Sequence, residues 1–226
     1  MSCKIITVFN EKGGAGKTTT TMNLAGTLGM RGFKTLVVDC DDQGTATRWV
    51  AEAEDDNQFP AIVTNLSHMG DKMHREIGKY IDQYDFIIID CPPGKKTKVP
   101  DNAMKVSDLA IIPLNLTPPD LWASNAAKAI ALEAKEFNPE LTIQYLANNV
   151  HTNRSVGKEI LDILQSDTEV GIFKAKLGSR VAFQTSVING TTVHSEEGNE
   201  KAVHEVNHLT DEVLSILGVK NGKKAG

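Results

Sequence analysis

Short apolar runs of strand length recur along the chain, and most are followed by a longer stretch whose apolar positions fall three and four residues apart. The runs at 5–9, 35–39, 61–64, 86–90, 109–114 and 141–150 predict strands. Helical spacing covers 18–30, 45–53, 72–82 and 121–137, then segments near 155–165, 179–188 and 196–217. Strands alternating with helices imply βαβ units, hence an α/β fold with a doubly wound, mostly parallel sheet flanked by helices. The run Phe86-Ile87-Ile88-Ile89 is apolar at every position, as a central strand covered on both faces requires. No repeat or long linker divides the pattern. Residues 1–218 are expected to form one domain, and 219–226 to fray as a tail.

Composition narrows the class. With 226 residues and 40% apolar content the chain can build a core without disulfide or metal staples. Cys3, Cys40 and Cys91 have no metal-ligand spacing and lie in or beside apolar runs, so they are expected as buried, reduced thiols. The start MSCKIITVFN lacks the features of a secretory signal, and no apolar run reaches the roughly 18 residues of a spanning helix. A cytoplasmic protein with no membrane partner is the expectation. The formal charge of −5 argues against a broadly basic nucleic-acid coat, though a local basic patch can still meet phosphates.

The densest chemistry follows the first strand, in Glu11-Lys12-Gly13-Gly14-Ala15-Gly16-Lys17-Thr18-Thr19, directly before a helix. Glycines let successive backbone N–H groups turn toward phosphate oxygens at a helix N-terminus. Lys17 is placed to neutralise the β/γ-phosphates, and the Thr18 hydroxyl to complete a Mg²⁺ shell. The architecture is therefore that of a P-loop NTPase, although Glu11 stands where the strict phosphate-loop pattern has its first glycine. Asp90, ending its apolar strand, is the expected acidic metal partner, and Pro92-Pro93-Gly94 after it forms a rigid candidate switch.

With Lys12 ahead of the glycines, the chain resembles the ParA family of deviant Walker-A ATPases over nearly its whole length. The resemblance implies ATP/ADP and Mg²⁺ as cofactors, with Gly13, Gly14, Ala15, Gly16, Lys17, Thr18 and Thr19 holding the nucleotide. It also implies that Lys12 reaches across an ATP-bound homodimer to the partner's nucleotide. The segment from Asp39 to Gly44 resembles the family's D-x-D-P-Q-G, which implies that Asp41 positions the attacking water and Asp39 sits in the metal's outer shell. Asp42 replaces the usual proline there; the bland reading has Asp41 and Asp42 merely capping the next helix. Lys12, Lys17 and Asp41 are thus the expected catalytic residues, and Thr18, Asp39 and Asp90 the metal residues. Family members place the base and a dimer contact near 117–120 and near the strand end at Asn148-Asn149, where either asparagine amide can read an adenine edge.

No Asp or Glu occurs from 171 to 194, which leaves Lys174, Lys176 and Arg180 unopposed in the sequence. The resemblance implies non-specific double-stranded DNA binding near here by the ATP-bound dimer; the alternative is a solvated basic helix face. Arg154 and Lys158 are interleaved with acids, and Lys95, Lys96, Lys98 and Lys105 follow the metal-site strand with no clearer role. The phosphate loop opens about ten residues in, so no helix-turn-helix segment is expected before it and operator-specific repression is not. The implied function is DNA partition (segregation) by a nucleoid-associated ATPase working with a ParB-type adaptor. Two competitors share the fold. A MinD-like membrane ATPase needs a basic amphipathic C-terminal helix, and 196–217 is acidic instead. A metabolic P-loop enzyme has no positive support in the motifs.

Overall fold

A computed structural model describes residues 2–94, 97–151 and 155–221. Lys95, Lys96 and Arg154, named above as basic candidates, and residues 222–226 of the expected tail lie outside the described residues. Seven strands form one sheet: β1 (Lys4–Val8), β2 (Thr35–Asp39), β3 (Ile62–Asn65), β4 (Phe86–Asp90), β5 (Leu109–Asn115), β6 (Thr142–Val150) and β7 (Gly171–Gly178). Their order is β3-β2-β4-β1-β5-β6-β7, and every neighbouring pair is parallel. β4 lies inside the sheet and is buried at all of its positions, as its unbroken apolar run demanded.

Helices cover both faces, because a sheet apolar on both sides must be shielded twice. One face packs against α1 (Lys17–Met30), α2 (Thr45–Ala51), α7 (Ala182–Ile188) and α8 (Glu200–Ile216), through Met22, Leu28, Trp49, Phe183 and Val206. The other packs against α3 (Met73–Ile77), α4 (Val99–Met104), α5 (Pro118–Phe137) and α6 (Ser155–Gln165). Ala127, Ala131 and Ala134 give α5 a narrow buried seam that lets it lie close to the sheet.

Three expectations need correction. The segment 72–82 holds only the short helix α3, preceded by a 3₁₀ turn Ser67–Lys72 in which Gly70 has φ +50°, a conformation that ends regular helix. Residues 171–178 are an edge strand, β7, and not merely a basic stretch ahead of a helix. Phe173, Ala175 and Leu177 face α8 while Lys174 and Lys176 are exposed, so a period of two was present but interrupted by charge. The described part of the tail is anchored: Val219 N–H donates to Leu214 O at 2.8 Å, and Arg31 reaches Asn221 Oδ1. Cys40 and Cys91 are buried free thiols and Cys3 is half-buried. Among the described residues no helix is long and apolar enough to cross a membrane.

Candidate functional site

The phosphate loop leaves the end of β1, which lies between β4 and β5 with strand order reversing around it. In open parallel sheets such a crevice at the strands' carboxyl ends is where ligands bind. Asn10 sets the loop's start: its buried Nδ2 donates to Pro113 O at 2.8 Å, and its Oδ1 accepts from Lys12 N–H at 3.0 Å. Gly14 and Gly16 adopt φ +74° and +88°, so the chain curls left-handed where a side chain would be strained. No side chain caps α1, and Gly16 is its N-cap residue. The first-turn N–H groups are then the natural anion cradle.

Lys17 is buried, and its Nζ donates to Lys12 O at 3.1 Å across the loop. Burial pushes its pKa down, opposed by the neighbouring carboxylates of Asp90 and Asp41. The Thr18 hydroxyl donates to Asp90 Oδ2 at 2.7 Å, and Thr21 donates to Asp90 Oδ1 at 3.2 Å. Desolvation is the main cause of a rise in the Asp90 pKa to about 7, with Asp39 adding to it; Thr18, Lys17 and Thr21 oppose it. Thr18 and Asp90 are hard oxygen donors held together in a buried site, a set that fits Mg²⁺. When bound, the ion neutralises charge on the β- and γ-phosphate oxygens.

Asp39 is fully buried, and its carboxylate is already engaged. Oδ1 accepts from Asp41 N–H at 3.1 Å, and Oδ2 from Thr47 N–H and Oγ1 at 3.0 and 2.9 Å. Helix-cap bonding, the bland alternative raised for Asp41 and Asp42, thus falls to Asp39. Asp41 is half-buried, and its Oδ1 accepts from Gln43 N–H at 2.9 Å.

Lys12 Nζ lies 2.7 Å from Asp120 Oδ2 within the same chain; Lys12 is 37% exposed and Asp120 only 3%. Asp120 belongs to the first turn of α5, whose cap Thr117 donates its hydroxyl to the same carboxylate. Asn148 does not present a free amide to a base: its Nδ2 donates to Ala15 O at 2.9 Å, and its Oδ1 accepts from Asn149 N–H at 2.9 Å. Asn149 is exposed, with φ +49°, and keeps the base-reading candidacy alone. Asn10, Asn115 and Asp120 were not assigned site roles from sequence. Their signal is positional, since each polar residue closes a strand or opens a helix at the loop.

Lys174 and Lys176 are exposed on β7, whereas Arg180, beyond the strand's end, is half-buried. The Arg180 guanidinium is not unopposed, because Glu205 of α8 binds it at both Nε and Nη2. An acid-free stretch of sequence therefore borrows acids from a helix packed against it.

A sequence profile described as "AAA domain" matches residues 3–74 and 59–143, more than half of the chain. The chain belongs to this AAA-domain family, with ParA-type ATPases as its relatives. It is 26% identical over 212 residues to the maintenance of carboxysome distribution protein A of Halothiobacillus neapolitanus, covering 92% of this chain and 95% of that one. It is also 26% identical to the sporulation initiation inhibitor protein Soj of Bacillus subtilis, covering 84% and 90%. Among solved structures it shares the fold of the septum site-determining protein MinD complexed with Mg-ADP from Pyrococcus horikoshii, with a TM-score of 0.73, 21% identity and coverage of 96% and 98%. The protein is a P-loop ATPase of this family.

Proposed function

We propose that this ATPase is a partition-type positioning protein: ATP assembles a sandwich homodimer, the dimer holds non-specific DNA, and an adaptor of the ParB type triggers hydrolysis and release. The observation that carries the reading is Lys12, a second loop lysine poised on Asp120 rather than committed to the phosphate loop. Two nucleotides face to face need more positive charge than one loop lysine each supplies, and a lysine given in trans makes hydrolysis depend on assembly. Lys17 neutralises the phosphates, and Asp41 orients the attacking water from its half-buried place beside the loop. Similarity to a protein named for carboxysome distribution supports a positioning role; the proposal has the protein act in the cytoplasm, on the nucleoid in the ATP state.

For DNA, Lys174 and Lys176 are the stronger contacts, being exposed side by side on one face of β7. Arg180 supports the surface through Glu205 and contributes less free charge. Few cations per chain suffice when a two-fold axis doubles them, because avidity then makes binding conditional on the dimer. The test is retention of non-specific duplex DNA with ATP, ADP or no nucleotide across a salt series, comparing wild type with Lys174→Glu/Lys176→Glu. Retention by wild type only with ATP, lost in the double variant while basal ATP hydrolysis continues, is the expected result. Equal retention by both proteins at low salt counts against this surface.

A further inference from the structure

We infer that Asn115 and Asn148 are positioning residues for ATP hydrolysis, gripping consecutive carbonyls of the phosphate loop so that its N–H groups face the polyphosphate. β5 and β6 run side by side, and Asn115 is paired with Asn148 in register. The two amides meet the loop one residue apart: Asn148 Nδ2 donates to Ala15 O at 2.9 Å, and Asn115 Nδ2 reaches Gly14 O at 3.5 Å. In a planar trans peptide the C=O and the following N–H point in opposite directions. Carbonyls of Gly14 and Ala15 held toward the strand ends therefore turn the N–H groups of Ala15 and Gly16 away from them, into the concave side of the loop. Carbonyl oxygens left free to swing inward would set negative dipoles against phosphate.

Local packing supports the assignment. Asn148 is 7% exposed, and a Cβ built on Gly16 would lie 1.6 Å from its Nδ2. The missing side chain at 16 thus serves the asparagine's approach as well as the left-handed turn. Asn148 Oδ1 accepts the Asn149 N–H, so a flipped amide would lose that bond and set oxygen against oxygen at Ala15. Asn115 Nδ2 also reaches Asp120 Oδ1 at 3.2 Å, while the other Asp120 oxygen holds Lys12. One amide is thereby shared between the loop carbonyl and the carboxylate that holds Lys12.

The inference rests on the ATPase site and is independent of the DNA reading. Its test uses the full chain with Asn148→Ala, Asn148→Asp and Asn115→Ala, each competing a fluorescent ATP analogue with ADP and with inorganic tripolyphosphate. Loss of one oriented contact network should weaken both competitors about tenfold in the Asn148 variants, and less in Asn115→Ala, whose bond is longer. The ³¹P resonance of the bound ADP β-phosphate should shift in each variant, a signature that packing alone does not move. Unchanged affinity for tripolyphosphate with weakened ADP binding would mean that Asn148 reads the base, and overturns the proposal. So would wild-type affinity for both competitors. If Asn148→Asp fails to fold, Asn148→Ala and Asn115→Ala decide between the same outcomes.

Discussion

Asp90 is 1% exposed, and it faces two threonine hydroxyls on one side and the charge of Asp39 on the other. Desolvation chiefly lifts its pKa from 3.8 to about 7. Between those values the folded protein keeps a proton that the unfolded chain has released. Stability from this group is therefore full below about pH 4 and is lost as pH rises through about 7. In the absence of nucleotide, Asp90→Asn should become progressively more stable than wild type as pH is raised from about 5 to 8. Urea unfolding of both proteins across that range measures the difference, and a pH-independent gap overturns the assignment. Mg²⁺ requires the carboxylate form, so wild-type affinity for Mg-nucleotide should fall as pH drops below 7. Lys17, Thr18 and Asp90 were legible in the sequence because short chain spacing, or one apolar run, fixes where each must sit. Asn115 and Asp120 were not. Their roles arise only when sheet order lays β5 beside the loop from β1.

At the scale of elements, strands apolar on both faces were readable because burial leaves little room for polar residues. β7 was not, since it is an edge strand with lysines on its outer face. Its pairing with β6 slips between Tyr145 and Ala147, and such an irregularity turns backbone donors outward. Glu212 of α8 accepts the Lys174 and Ala175 N–H groups at 2.9 and 2.6 Å, and Glu205 accepts the Gly178 N–H at 2.9 Å while holding Arg180. Two helix carboxylates thus seal a strand edge that could otherwise pair with another chain. Glu212→Ala leaves two donors without their acceptor and should destabilise by about 1–3 kcal/mol, with concentration-dependent aggregation. Chemical denaturation and light scattering check both; a loss under about 0.5 kcal/mol would make the contact an ordinary surface one. Sequence could not disclose this because Glu212 lies 38 residues beyond Lys174 and meets it only after α8 folds back.

For the whole molecule, the proposed ATP-bound dimer would place opposing demands on Lys12. Within one chain its ammonium neutralises Asp120, a carboxylate only 3% exposed, and withdrawing it leaves a buried charge with only hydrogen-bond partners, Thr117 and Asn115. Removing one member of such a pair is costly, so a Lys12 that reaches another chain's nucleotide must find compensation there. On the proposed function, a nucleotide-free protein should then favour the monomer, and ATP should tip the balance through its phosphate charge. Asp120→Asn keeps a similar shape and an oxygen acceptor for Thr117 while removing the charge that detains Lys12. Its ATP-dependent dimer should form at several-fold lower protein concentration than that of wild type, as measured by sedimentation velocity with ATP and with ADP. ADP should still leave it monomeric, because the gain comes from releasing the lysine and not from creating a new contact surface. An unchanged dimer threshold would mean that Lys12 leaves Asp120 at no net cost, and a dimer in ADP would mean that Asp120 opposes association by charge alone.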